Sequence, residues 1–301
     1  VLLLAASLAG AGLACSEEGD QSDIVYDWTL DECGFTEPVA ATIDIAELSD
    51  VFHGDVVAQI EAHLRGGPSP TFHEVFMEQG GCRYYKSAIG VCDPPCASGE
   101  ACDIDGECVA YPESLSGGKL TITGLGEKIE IEPEDWSPGT YLGPAQLPGQ
   151  PFEAGTEIGA SLAGADFPEL ALGALGIETM DTELTHTGYE LLDGQDAEIT
   201  WAPGPDPAAC VKLVINGLNE VHGAPLSDII VCEGTDSGSL VVPQAFVEEF
   251  PYGETPIVTE GYDWPHSELT RYTRNSVVTE YGLAELVVRS STYFQPSHPE
   301  P

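Results

Sequence analysis

Six short runs constrain the fold of this chain more than any other feature: KLTIT (119–123), KIEIE (128–132), AEITW (197–201), CVKLVI (210–215), DIIVC (228–232) and AELVVRS (284–290). Each is rich in β-branched residues, several alternate apolar with polar positions, and Gly, Pro, Asn and Asp separate them. That is the pattern of half-buried strands joined by turns. It predicts an all-β fold with an Ig-like or jelly-roll-type β-sandwich over residues 116–295. One short helix is expected at QAFVEEF after Pro243, because proline suits the first helical turn.

Upstream, residues 25–90 read as an N-terminal β region. In 56–64 the positions 56, 58, 60, 62 and 64 are apolar and the odd ones between are mostly polar, a period of two. A helix is the alternative, since Leu48, Val51, Phe52, Val56, Ile60 and Leu64 would share one helical face, but Gly54 would weaken it by about 1 kcal/mol. The hairpin is preferred. The turn GGPSP (66–70) would return the chain as FHEVFM (72–77) alongside it.

Between these regions lies CDPPCASGEACDIDGEC (92–108), four cysteines within a segment, 91–115, too poor in apolar residues to build its own core. The intervals between them lack the paired C-x-x-C spacing of common zinc sites, so a small disulfide knot is expected. The chain has nine cysteines. Setting Cys15 aside leaves an even number. Cys210 and Cys232 bracket two β-type runs joined by a Gly- and Pro-containing loop, so antiparallel pairing predicts a Cys210–Cys232 bond. The other six would then pair among themselves, as Cys33–Cys82, Cys92–Cys102 and Cys96–Cys108.

Residues 1–14, VLLLAASLAGAGLA, are uncharged, mostly apolar and shorter than the ~20 residues of a spanning helix. They have the character of a secretory signal peptide. Cys15 follows at once, in the position of a lipidated N-terminus, and residues 15–24 form a polar, acidic tether. Lipidation would attach the protein to a membrane through acyl chains. Ordinary cleavage after Ala9-Gly10-Ala11 would instead release a secreted protein. The 51 acidic residues against 9 basic ones, a net charge of -42, exclude nucleic acid as a partner, because phosphate binding needs clustered Lys and Arg. Scattered acids keep a secreted protein dispersed.

Five patterns bear on chemistry or binding. CEGTDSGSLVV (232–242) has the Asp-Ser-Gly of a trypsin-type nucleophile at Asp236-Ser237-Gly238, but Thr235 and Ser239 stand where that site needs glycine, and no histidine has the context of its base. The near-match to a nucleophile elbow at Gly159-Ala160-Ser161-Leu162-Ala163 lacks its last glycine. A turn is expected at the first and no catalytic residue at either. The histidines show no metal-binding spacing, and His53, His63 and His73, ten residues apart, could meet only across a hairpin. Asp103, Asp105 and Glu107 are the candidates for a metal site: they alternate as hard oxygen donors for calcium, but their loop is too short for an EF-hand. Tyr84, Tyr85, Trp136, Tyr141, Tyr262 and Trp264 are candidate glycan-stacking aromatics; Trp201, in an alternating strand, reads as core.

The set of motifs resembles a family of exported lipoproteins of myxobacteria and related bacteria. The resemblance rests on the leader ending in Cys15, GGCRYYK (80–86), CDPPCASGEACDIDGEC before Tyr111-Pro112, LSGGKLTITGL (115–125), ITWAPG (199–204) and HGAPLSDIIVCEGTDSGSLVVP (222–243). It implies export, an all-β fold and surface attachment, and no established activity. The expectation is a non-enzymatic lipoprotein of the bacterial cell envelope, held on the outer membrane by its lipid or else secreted. It would present loops to an envelope protein or a glycan and need no cofactor. A calcium-assisted carbohydrate or adhesion module and an exported hydrolase with an unfamiliar site are the alternatives.

Overall fold

The computed structural model describes residues 24–49, 56–87, 92–144, 147, 151–180, 182, 184, 189–217, 228–254, 267–294 and 296–300. The leader, Cys15, His53, Tyr262 and Trp264 lie outside them.

In chain order the strands of the first half are β1 (Val39–Ser49), β2 (Val56–Leu64), β3 (His73–Gln79), β4 (Cys82–Ser87), β5 (Glu100–Cys102), β6 (Cys108–Ala110), β7 (Leu120–Leu125), β8 (Glu127–Ile131), β9 (Thr140–Leu142), β10 (Glu157–Leu162) and β11 (Leu170–Leu175). The second half adds β12 (Tyr189–Glu190), β13 (Ala197–Thr200), β14 (Cys210–Asn216), β15 (Asp228–Thr235), β16 (Ser239–Val242), β17 (Gly253–Glu254), β18 (Ser267–Thr279), β19 (Gly282–Phe294) and β20 (Pro296–His298), with one helix, α1 (Gln244–Glu249). The fold is all-β, and the expected runs and the expected helix are all present.

A nine-stranded sheet in the order β3-β4-β15-β14-β18-β19-β1-β2-β9 forms one layer. Its pleat sends alternate residues to opposite faces. In β19 the even positions Ala284, Leu286, Val288 and Phe294 face inward. Register carries that face to Ile43 and Ile45 of β1, to Ile60 and Leu64 of β2, and to Leu269, Leu213, Ile230 and Tyr84 on the other side.

Two cores share this one face. Over β19, β1 and β2 lies the four-stranded sheet β11-β10-β7-β8, contributing Leu120, Ile122, Ile158, Leu162 and Leu172. Over β14, β15 and β4 lie α1, with Phe246, Val247 and Phe250, and the β13–β16 ribbon, with Ile199, Trp201 and Val242. Each such side chain withdrawn from water favours the fold by about 1.5–3 kcal/mol.

The sheet corrects three expectations. β2 does not pair with FHEVFM: its neighbours are β1 and β9, while β3 pairs with β4. The N-terminal strands are not a separate region, because β1 runs parallel to β19 and β4 antiparallel to β15 within the same sheet.

The third correction concerns the disulfides, which are Cys33–Cys210, Cys82–Cys232, Cys92–Cys102 and Cys96–Cys108. The two within the knot are the expected ones. Cys210 and Cys232 do not bond to each other. β14 and β15 do pair antiparallel, but Cys232 stands opposite Leu213 and Cys210 opposite Thr235. The three-residue offset is odd, so Cys232 faces the core with Leu213 while Cys210 faces the other side. Cys232 instead meets Cys82 directly across β4, and Cys210 meets Cys33.

Cys33 belongs to an N-terminal strap, residues 24–38, which crosses the molecule before β1 begins. Tyr26 and Trp28 lie against Gly159 of β10 and Gly173 of β11, where a Cβ at Gly173 would collide with the indole. Farther on, Arg274 donates to Asp31 and to the Gly34 carbonyl.

Candidate functional site

Between the two cores the inward face of β18 is polar, not apolar. Arg271, Thr273 and Asn275 follow one another at every second residue, and all are buried, Arg271 to 1% exposure. Each bonds main chain of the overlying layer. Thr273 Oγ1 donates to the Leu175 carbonyl and accepts from its N–H. Asn275 Nδ2 donates to the carbonyls of Asp27 and Gly173, at 2.6 and 3.0 Å. These bonds satisfy groups along the outer edge of β11 that would otherwise be buried without partners.

Arg271 is the centre of the seam. Its Nε donates to Asp236 Oδ2 at 2.8 Å, Nη1 to the carbonyls of Glu178 and Thr179, and Nη2 to the Ala202 carbonyl. The other Asp236 oxygen accepts the Trp201 indole N–H at 2.5 Å, and Oδ2 also accepts the Gly204 N–H at 2.7 Å. The aspartate of the protease-like stretch is therefore the buried counter-ion of an arginine. Ser237 is exposed in the turn that follows, donating its hydroxyl to the Ser239 carbonyl, and Gly238 takes φ +91°, which a turn glycine supplies. Ser161, of the second serine pattern, is buried within β10.

The remaining sequence candidates fall in separate places. Asp103 Oδ1 accepts the backbone N–H groups of Asp105 and Glu107, closing the turn between β5 and β6. Among the described residues the acids of this loop gather no metal-ligand cluster; the group with converging ligand atoms is Cys92, Cys96 and Cys108, all in disulfides. His63 pairs with Glu61, and His73 lies in β3, so these two do not meet. Tyr84 and Tyr141 are buried and hydrogen-bonded, Tyr84 to Asp228 and the Glu249 carbonyl, and Tyr141 to Gly118. Burial and the Asp228 carboxylate push the Tyr84 phenol well above its ordinary range. Tyr85 is half-buried, whereas Trp136 is 72% exposed with its indole N–H on Glu134.

The outward face of the large sheet carries most of the remaining ion pairs. Arg289 donates from Nε to both oxygens of Asp44 and from Nη1 to Glu268 at 2.7 Å. Burial nonetheless pushes the Asp44 carboxyl above its ordinary value, against the pull of Arg289. Lys212 reaches Glu233, which accepts the Tyr272 hydroxyl.

The described surface also holds an open groove of roughly 280 Å³ that sequence reasoning did not find. One wall is the entry to β11, Pro168–Leu172, and the other is the tip of the β18–β19 hairpin, residues 277–280. Tyr281 fastens the walls together: its ring stacks on Phe167 at 5.6 Å and its hydroxyl donates to the Asp166 carbonyl. Asp27 closes one end by a single bridge, its N–H on the Ala171 carbonyl and its carbonyl on the Gly173 N–H. Asp27, Glu169 and Glu280 supply charge, and among the described residues no basic one lines the groove. The hairpin tip showed in the sequence only as the polar TEYG turn after two valines.

Fold and site together define a disulfide-stapled, two-layer all-β protein with an acidic surface groove. No family model matches the chain, and no curated protein matches it. Ten chains among the solved structures do. One of them, described as "Crystal structure of chicken CNTN1 FN1-FN3 domains", is 9% identical, with 78% of this chain and 68% of that one covered and a TM-score of 0.16. That likeness is too slight to carry any part of the argument.

Proposed function

We propose that the chain is an exported, lipid-anchored binding module of the bacterial cell envelope that performs no covalent chemistry. The observation that carries this reading is the use made of Asp236. The stretch that looks like a trypsin-type nucleophile site spends its carboxylate on Arg271, Trp201 and Gly204, and leaves Ser237 in a turn. Four disulfides support an oxidising compartment. Cys15 at the end of an apolar leader supports the anchor. A rigid two-layer frame with a preformed groove suits binding.

The anchor is tested by Cys15→Ser in the full chain. The variant is expected in the soluble fraction and the parent in the membrane fraction. Equal membrane association of the two would sink the anchored reading.

A further inference from the structure

We infer that the groove between β11 and the β18–β19 tip docks an extended, cationic segment of a partner protein. The inference deepens the binding-module reading and rests on it.

Three features converge on the groove. Its floor is apolar, from Leu170, Leu172 and Val277, and Val278 stands 80% exposed at its lip. An isolated apolar side chain so exposed is ordinary; one beside an apolar floor marks a contact surface. Its rim is acidic, with Asp27, Glu169 and Glu280 and, among the described residues, no base. Its walls are two strand-like segments, the entry to β11 and the hairpin tip, which leave room for an extended chain between them; the β11 edge itself is taken at Ala171 and Gly173 by Asp27.

Charge selects the occupant. The residues just ahead of Ile24 include Glu17, Glu18, Asp20 and Asp23, so the chain's own tether is repelled by the rim. A second copy brings a net charge of -42 and is repelled more strongly. A strand alternating basic and apolar side chains meets both demands, placing apolar groups on the floor and cations against Glu169 and Glu280.

The probe is a fluorescein-labelled octapeptide of alternating Lys and Val, read by anisotropy at about 0.15 M salt, where long-range attraction to the whole acidic surface is screened. The double variant Glu169→Gln/Glu280→Gln is expected to weaken binding about tenfold, or about 1.4 kcal/mol. Val278→Lys is expected to weaken it comparably. Glu127→Gln/Glu198→Gln and Val241→Lys make the same charge changes on exposed positions of β8, β13 and β16 and are expected to leave binding within about twofold. Equal losses in both sets would assign the binding to diffuse surface charge and overturn the groove, as would no binding by the parent. Either result with Cys15-dependent fractionation intact removes the groove and leaves the anchored module standing.

Discussion

Arg271 and Asp236 hold a charged pair where the sandwich would otherwise be driest, and the fold tolerates it because every polar atom has a partner. Two buried charges cost several kcal/mol each to desolvate, and only good geometry with added hydrogen bonds repays that. Here the guanidinium reaches three carbonyls and the carboxylate, which in turn accepts from Trp201 and Gly204. Arg271→Ala is therefore expected to cost about 3–5 kcal/mol in denaturant unfolding, because it strands Asp236. The pair Arg271→Met/Asp236→Leu should recover part of that loss. A single variant no more than 1 kcal/mol less stable would show that the seam is hydrated and its charges cheap. The same geometry predicts that a fluorophosphonate leaves Ser237 unlabelled in the folded protein. Labelling that disappears in Ser237→Ala would reverse the non-catalytic reading.

Individual strands were legible in the sequence wherever one face is apolar and the other wet. β7, β8, β13, β14, β15 and β19 all answer to alternating or β-branched runs. β18 escaped because its inward face is itself polar. Arg271, Thr273 and Asn275 bond main chain, while Tyr272 and Arg274 on the other face reach Glu233 and Asp31, so no alternation appears in SELTRYTRNSVVT. The groove was hidden for a related reason, since its walls come from β11 and a hairpin tip more than a hundred residues later. Pairing was legible only locally. The knot bonds span 10 and 12 residues and join cysteines that are close in the sequence, whereas Cys33–Cys210 and Cys82–Cys232 span 177 and 150. They depend on a parity of faces that only the register of β14, β15 and β4 reveals. Peptide mapping without reductant should recover those two long-range bonds and no Cys210–Cys232 peptide. Replacing Cys33 and Cys210 together by Ala should cost about 2–4 kcal/mol, through the freedom returned to the unfolded chain. A Cys210–Cys232 peptide in the native protein would mean that β14 and β15 pair in another register.

Over the whole molecule the decisive quantity is the net charge of -42, and the large sheet shields some of the carboxylates from water. Self-repulsion of the surface acids opposes compaction at neutral pH and is relieved by screening. The shielded acids act in the same direction for a different reason. Asp44 and Glu285 are both pushed above their ordinary values of 3.8 and 4.5, chiefly by burial and against the pull of Arg289 and Arg274. A carboxyl whose pKa is raised by folding binds its proton more tightly in the native state. Its contribution is complete below the unfolded value and is lost as pH rises through the folded one. Glu130 works oppositely: hydrogen bonds from Lys128 and Lys119 hold it down to about 2, so its smaller, solvent-screened contribution is present above the ordinary value of 4.5 and is lost as pH falls from there toward about 2. The melting temperature is therefore expected to rise as pH falls from neutral toward the ordinary carboxyl range, about 4.5, and to fall again under stronger acid, as carboxylates held down by ion pairs take up protons. The two sources separate in salt. At about 1 M NaCl the surface part of the gain should vanish, because the Debye length drops to about 3 Å. The part that survives should shrink in Glu285→Gln, which keeps the shape of the side chain and removes its titration. A gain that disappears entirely in salt, unchanged by Glu285→Gln, would place all of it in surface repulsion and none in the carboxylates that the sheet shields.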